Sequence, residues 1–268
     1  MNPVAFSIGS FEVRWYGIII ALGILIAMTL VSINAKKKNL NFDVILDLFL
    51  WCFPFAIIGA RAYYVLFELE NYHSFWDMIN IRQGGLAIHG GIIGAFLTAF
   101  IYCKVKKVDF LAYADIVAPA FILAQGIGRW GNFFNQEAHG GQVTNEFISK
   151  FPEFIQRGMY INGAYYHPTF LYESIWDIFV AILLMIILYN ITDRYKGVVI
   201  SAYISLYSLG RFFIEGLRTD SLYFMNIRAA QLVSLLGIII GIVAIIIIVS
   251  RGKKKRKGIF INRSEEHT

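Results

Sequence analysis

An all-α integral membrane protein, with seven transmembrane helices and a small extracytoplasmic cap, is the fold class this sequence predicts, and three observations carry it. Of 268 residues, 57% are hydrophobic and only 16% charged, against roughly 25% charged in ordinary soluble domains. Long apolar runs recur seven times along the chain. Lysine-rich clusters follow the first, third, fifth and seventh of them, as alternating helices with one cytoplasmic face require.

The runs cover about Trp15 to Asn34, Val44 to Phe67, Leu86 to Cys103, Leu111 to Gly128, Thr169 to Asn190, Val198 to Ile214 and Ala229 to Ser250. Each is near the roughly 20 residues that cross a hydrocarbon core. Lys36, Lys37 and Lys38 follow the first; Lys104, Lys106 and Lys107 the third; Arg194 and Lys196 the fifth; and the RGKKKRK cluster from Arg251 the seventh. All four sites fall on one face, which the positive-inside rule makes cytoplasmic, so the amino terminus is expected outside and the carboxyl terminus inside. Residues 1–13 have no basic n-region, so the first run reads as a retained helix rather than a signal peptide. Residues 135–168 form the sizeable extramembrane segment, a folded cap inserted between helices four and five of a single membrane domain, 1–268. Residues 252–268 are a short basic cytoplasmic tail.

Basic residues divide by type as well as by side. Of the 24 lysines and arginines, the cytoplasmic clusters with Arg263 hold 15, and 11 of those are lysine. The others are Arg14, Arg61, Arg82, Arg129, Lys150, Arg157, Arg211, Arg218 and Arg228, all but one arginine. Lysine suits a solvated anchor, whereas the planar guanidinium matches phosphate or carboxylate with two parallel donors. Arginines at membrane depth therefore point to an anionic ligand, although at least half are expected to pair with acids such as Glu68, Glu70, Asp77 or Glu173.

Chemistry concentrates in Gly126 to Gly141, GIGRWGNFFNQEAHGG. Arg129 follows directly on an apolar run, where a cation is costly and is usually kept for a purpose. The glycines around it allow close approach of a neighbour or ligand, although small residues also pack membrane helices. At the start of helix one, Arg14-Trp15-Tyr16-Gly17 reads first as an interfacial anchor, with Tyr16 free to turn its hydroxyl to a polar site. Arg61, followed by Tyr63 and Tyr64, can be lent to the same outer region. His89 sits between Gly90-Gly91 and Gly84-Gly85; a lone helical histidine is more often structural, yet a neutral imidazole is a fair general base for a thiol. Glu173 and Asp177 lie one turn apart in helix five, with neutralisation of an arginine as their plain role. Tyr207, Arg211 and Glu215, spaced i, i+4 and i+8 with Arg218 following, present a phenol, a guanidinium and a carboxylate on one helical face.

Other classes are weakly supported. Cys52 and Cys103 lie on separate runs, and His73, His89, His139 and His167 show no ligand spacing, so no metal, cofactor or disulfide framework is indicated. The basic tail reads as a membrane-surface feature rather than a nucleic-acid one. An anion transporter would use intramembrane arginines but should carry internal repeats, and none is found. A non-catalytic lipid-binding scaffold explains arginines and glycines but not the recruitment of His, Tyr, Asn and Glu to one region.

Five ordered motifs, GRWGNFFNQEAHG, RWYG, HGG, HPTFLYE and Y-x-x-x-R-x-x-x-E, resemble those of the bacterial prolipoprotein diacylglyceryl transferase family over nearly the whole chain. The resemblance implies transfer of the sn-1,2-diacylglyceryl group of phosphatidylglycerol to the lipobox cysteine thiol of a preprolipoprotein signal peptide at the bacterial inner membrane, with release of glycerol phosphate. It implies that the family's essential arginines correspond to Arg129 and Arg211, and its other site positions to Tyr16, His89, Asn132, Glu137, Gly140, Tyr207 and Glu215. Arg129, Arg211, His89 and Tyr207 are the expected catalytic set; Arg129, Asn132, Glu137, Gly140, Tyr16, Glu215, Arg218 and Arg61 the expected substrate-binding set. His139 departs from the family pattern, where a bulky apolar or aromatic residue is usual. The base remains open between His89, Tyr207 and the field of the arginines.

Overall fold

The computed structural model describes the chain except residues 73, 82, 83, 192, 220, 222, 225, 226 and 266–268, so His73, Arg82 and Gln83 lie outside the described residues. A short hairpin opens the chain: β1 (Val4–Ile8) pairs antiparallel with β2 (Phe11–Arg14). Then come α1 (Trp15–Lys37), α2 (Asp43–Phe67), the short interfacial α3 (Phe75–Ile79), α4 (Ile88–Lys106) and α5 (Phe110–Asn135). After a region of small strands and helices follow α8 (Thr169–Asn190), α9 (Val198–Glu215) and α10 (Ala229–Glu265). That intervening region consists of β3 (Gln142–Val143), α6 (Asn145–Ile148), α7 (Glu153–Gly158), β4 (Tyr160–Ile161) and β5 (Ala164–Tyr166); β6 (Tyr223–Phe224) and β7 (Ile227–Arg228) form a hairpin before α10. Among the described residues seven helices, α1, α2, α4, α5, α8, α9 and α10, are long and apolar enough to cross a membrane.

The chain divides into two compact units, residues 1–34 with 114–268 and residues 35–113. In the second unit α2 packs along α4 through glycine. A Cβ on Gly59 would lie 2.5 Å from the Gly90 carbonyl oxygen and 3.2 Å from Gly94 Cα, so only hydrogen side chains let these backbones meet, as membrane helices lacking a hydrophobic drive to associate require.

The first unit is built on α5, α8, α9 and α10. Gly237 faces Ser208, and Gly241 faces Ser201 and Ser205, which brings α10 close to α9. Asp115 of α5 is buried and accepts from the backbone N–H of Gly197 at 2.6 Å and of Ile200 at 2.8 Å. It thereby satisfies orphan donors at the start of α9 and places a negative charge at the positive end of that helix dipole. Asn34 donates to the Ile116 carbonyl at 2.9 Å and accepts from the Tyr189 hydroxyl at 2.7 Å, which ties α1, α5 and α8 together where no water would otherwise satisfy its amide.

Residues 135–168 fold into a three-stranded sheet of order β3-β5-β4 with α6 and α7. Thr144 caps α6, its side-chain oxygen accepting from the Phe147 N–H at 3.2 Å. Phe133, Ile148, Ile155, Met159 and Phe170 form a buried apolar core here, with Trp130 and Phe134 packed against it. The end of α5 and the first turn of α8 are therefore held by the same cluster of rings, and this fixes the side chains those two ends carry.

Candidate active site

The fourth apolar run stops at Gly128 in the sequence, but α5 continues to Asn135. Arg129, Asn132 and Asn135 accordingly sit on the last turns of a helix rather than in a loop. Glycine weakens an isolated helix by about 1 kcal/mol per residue, which is why the boundary read early. Packing overrides that preference here: the Tyr16 ring of α1 lies on Gly131, where an added Cβ would be 2.7 Å from it, and Gly126 meets Asp177 and Ser174 of α8.

Glu173 is the centre of the arrangement. It stands in the second turn of α8, 4% exposed, and three guanidinium groups converge on it. Arg129 Nε of α5 is 2.7 Å from Oε2, Arg211 NH1 of α9 is 3.3 Å from Oε1, and Arg218 NH1, just beyond α9, is 3.5 Å from the same oxygen. Arg211 NH2 also pairs with Glu215 at 2.5 Å, one turn along. Glu215 is 2% exposed, and its carbonyl accepts from Arg228. Within this set three cations meet two buried carboxylates. Arg129 and Arg211 retain about a fifth of their side-chain exposure, 21% and 20%, so each keeps donors for a further anion. Guanidinium groups in a low-dielectric setting bind phosphate far more strongly than they would in water.

A second polar set flanks the first. Asn132 donates to Glu137 Oε1 at 2.9 Å, and Asn135 donates to the same oxygen at 3.4 Å. The backbone after α5 turns through positive φ at Gln136 (53°) and Ala138 (56°). Gly140 then donates to the His167 carbonyl at 3.0 Å, Gly141 donates to that of Leu217 at 3.0 Å, and His167 donates back to Gly141 at 2.9 Å. A Cβ on Gly140 would fall 2.6 Å from His167 Cβ and 2.9 Å from the Leu217 oxygen. Gly140 is thus where three backbone segments cross, and one of them carries Arg218. His139 places its ring 4.3 Å from that of Tyr166, so it fills its position as an aromatic would. Burial pushes the His167 imidazole below its ordinary value of 6.5, and its Nδ1 lies 3.3 Å from the Tyr172 hydroxyl. Tyr207 stacks on Tyr203 at 5.9 Å, one turn before Arg211 on α9.

Arg61 and His89 belong to the other unit. Arg61 is 8% exposed, and four backbone carbonyls take its donors: Nε to Met78 at 2.7 Å, NH2 to Asp77 at 2.7 Å, and NH1 to Gly84 at 2.9 Å and Gly85 at 3.0 Å. The Tyr72 ring covers it at 5.1 Å. Four of the five guanidinium N–H donors of Arg61 are thus matched to the carbonyls of residues 77, 78, 84 and 85. The same contacts show that an arginine here is met by peptide oxygens rather than by Glu68, Glu70 or the Asp77 carboxylate. His89 is exposed in the first turn of α4, its ring 6.1 Å from that of Tyr63.

Sequence reasoning gave Glu173 only a neutralising role and left it out of the site, although it holds the site together. The available signal was an acid in the opening turns of an apolar helix, which is expensive unless several cations share it. Arg228 was read only as one more extracytoplasmic arginine; nothing local in β7 marks its contact with Glu215. Among the described residues no cluster of His, Cys, Asp and Glu has the geometry to hold a metal ion.

Residues 3–247 match the family model described as prolipoprotein diacylglyceryl transferase. The chain is 99% identical over 262 residues to phosphatidylglycerol–prolipoprotein diacylglyceryl transferase 1 of Clostridium perfringens, covering 98% of this chain and 100% of the relative. It is 58% identical over 256 residues to the corresponding Clostridium kluyveri transferase, covering 95% and 99%, and 56% identical over 255 residues to one from Clostridium botulinum, covering 95% and 100%. With its seven apolar helices, the chain is a multi-pass bacterial membrane protein.

Proposed function

The chain belongs to the prolipoprotein diacylglyceryl transferase family, and from that premise we propose that it moves the diacylglyceryl group of phosphatidylglycerol onto the lipobox cysteine of a preprolipoprotein at the cluster around Glu173. The observation that carries the reading is the convergence of Arg129, Arg211 and Arg218 on one buried carboxylate, with the first two still partly exposed. The cluster would face the extracytoplasmic side, as the lysine distribution requires of the end of α5 and the start of α8.

The chemistry follows from the charges. The cysteine sulfur attacks the glyceryl carbon that bears the phosphate; the sulfur–carbon bond forms as the carbon–oxygen bond breaks, and the electron pair leaves on the phosphate oxygen. The leaving glycerol phosphate gains a negative charge. Preorganised guanidinium groups of Arg129 and Arg211 stabilise it in the transition state, the effect usually largest in such sites. Glu173 and Glu215 aim those groups and keep them from repelling one another. Asn132 and Glu137, already hydrogen bonded together, offer free acceptor and donor capacity for the glycerol hydroxyls, and Tyr16 lines the same end of α5. The thiol must lose its proton, and a free thiol has a pKa of about 8.5. His89, an imidazole of the other unit, Tyr207 and the positive field of the arginines are the rival sources of that activation.

The test uses purified protein in detergent, phosphatidylglycerol labelled in its glycerol head group and a lipobox peptide. Release of water-soluble glycerol phosphate should depend on the peptide's cysteine and fall on the order of 100- to 1,000-fold in Arg129→Ala. No release from folded wild-type protein would overturn the proposal. His89→Gln should lower turnover sharply while phosphatidylglycerol binding persists, and near-normal turnover would remove His89 as the base.

A further inference from the structure

A polar group beneath the Glu173 cluster has no place in the chemistry above. Gln125 precedes Arg129 by four residues on α5, so it stands on the same helical face about 6 Å nearer the middle of the helix. Tyr207 and Tyr203 precede Arg211 by four and eight residues on α9, in the same direction. The Tyr203 hydroxyl donates to Gln125 Oε1 at 3.0 Å, and the rings of Tyr203 and Tyr207 stack at 5.9 Å. Among the described residues no hydrogen bond reaches the Gln125 amide nitrogen, and Gln125 and Tyr203 are both partly exposed. One turn deeper the polar strip ends: Phe121 of α5, 50% exposed, stands edge-on to the Tyr203 ring at 6.0 Å.

A primary amide at membrane depth is costly unless its polar atoms are matched. Tyr203 matches the oxygen and leaves the two N–H donors of the nitrogen, which call for an acceptor that is itself at home beside hydrocarbon. A lipid ester carbonyl is such a group. In phosphatidylglycerol both acyl esters follow the phosphate by a few bonds along the glycerol. A phosphate held by Arg129 and Arg211 therefore brings them to the level one helical turn further in, where Gln125 stands, with the acyl chains continuing past Phe121. The order of arginine, amide and apolar ring along α5 repeats the order of phosphate, ester and hydrocarbon along the lipid.

We propose that Gln125 is a specificity-determining residue whose amide N–H groups donate to an acyl ester carbonyl of the diacylglyceryl group, and that it thereby favours ester-linked over ether-linked lipid. The inference rests on the reading of the Glu173 cluster as the phosphate site. An ether lipid offers the same phosphate, head group and chains but lacks the carbonyl, so it isolates this one contact.

The experiment uses the purified full-length protein in detergent with a lipobox peptide and two phosphatidylglycerols of equal chain length, one diacyl and one dialkyl ether, and reads kcat/KM from glycerol phosphate release. Gln125→Met and Gln125→Leu should lose about three- to tenfold on the diacyl lipid, the worth of one hydrogen bond, and much less on the dialkyl lipid. The ratio of the two kcat/KM values should fall by that factor, and any difference in the lipids' intrinsic reactivity cancels when variant and wild type are compared. Tyr203→Phe removes the same hydrogen bond between α5 and α9 but keeps the amide, so it should retain the wild-type ratio. An unchanged ratio in whichever Gln125 variant folds would overturn the proposal. So would an equal fall in Tyr203→Phe, which would leave Gln125 as a tie between α5 and α9. Absence of release from either lipid by folded wild-type protein would instead count against the Glu173 cluster as the phosphate site.

Discussion

Arg61 and Arg129 are both intramembrane arginines beside a glycine-rich turn, yet the two units of the molecule treat them in opposite ways. Arg61 is enclosed by the carbonyls of Asp77, Met78, Gly84 and Gly85 and by the Tyr72 ring. Arg129 shares a carboxylate with two other guanidinium groups and keeps a fifth of its side chain exposed. Peptide oxygens carry no net charge and come with fixed backbone, so a cation surrounded by them holds a loop in shape. A carboxylate shared three ways neutralises only part of the charge around it and leaves donors unmatched. What separates the two arginines is the kind of acceptor, and this is the contrast that the proposed phosphate-binding role of Arg129 rests on.

The comparison breaks first at its most strongly coupled residue. Glu173→Gln leaves three cations around a neutral amide, and the cost should be about 3 kcal/mol or more, as for other broken buried pairs. Thermal unfolding in detergent reads that loss, and glycerol phosphate release should fall with it by about 100-fold as Arg129 and Arg211 lose their aim. If Glu173→Gln is as stable and active as wild type, the shared carboxylate is not what organises the site.

Arg61→Lys sharpens the contrast from the other side. An ammonium offers three donors in no fixed plane, so at least one carbonyl of the 77–85 loop goes unmatched, with a stability loss of about 1–3 kcal/mol. KM for phosphatidylglycerol should stay within a factor of about two, because four of the five Arg61 donors already face backbone carbonyls. A large rise in KM with unchanged stability would return Arg61 to substrate binding.

The smallest effect is a pH dependence at His167, whose backbone is laced to Gly140 and Gly141. Its folded imidazole titrates below the ordinary 6.5, so the unfolded chain binds the proton more readily. Stability is then fully present above the unfolded value and declines as pH falls through it towards the folded one. Unfolding midpoints measured from pH 7.5 down to about pH 5 should decrease, and His167→Gln should flatten that part of the profile; an unchanged profile would discharge His167 from this role.

Much of this architecture was legible in the chain. Seven spans follow from apolar length, and α8 begins and ends where Thr169 and Asn190 were read. The i, i+4 spacing of Arg211 and Glu215 foretold their ion pair. The end of α5 was not legible, because the glycines that weaken a helix locally are retained here by Tyr16 and Asp177 pressing on them, contacts that join distant parts of the sequence. The contacts of Arg61 were not legible for a related reason: its partners are backbone oxygens, which every residue possesses and no motif advertises. Glu173 looked like a counter-ion because one acid reads as one pair, whereas the fold brings it three cations from α5, α9 and the segment after α9.

The order in which those cations occur along the chain has a consequence for biogenesis. Arg129 emerges first, then Glu173, and Arg211 and Arg218 only afterwards. When α8 enters the bilayer, Glu173 therefore finds one guanidinium already waiting in α5, and the two can be accepted by lipid as an ion pair. Helix α9 then arrives carrying Arg211 with its own Glu215, again as an ion pair. Each of these two ion pairs thus finds its partner on an earlier helix or on its own, and Arg218 joins Glu173 last, once the helices around it are in place.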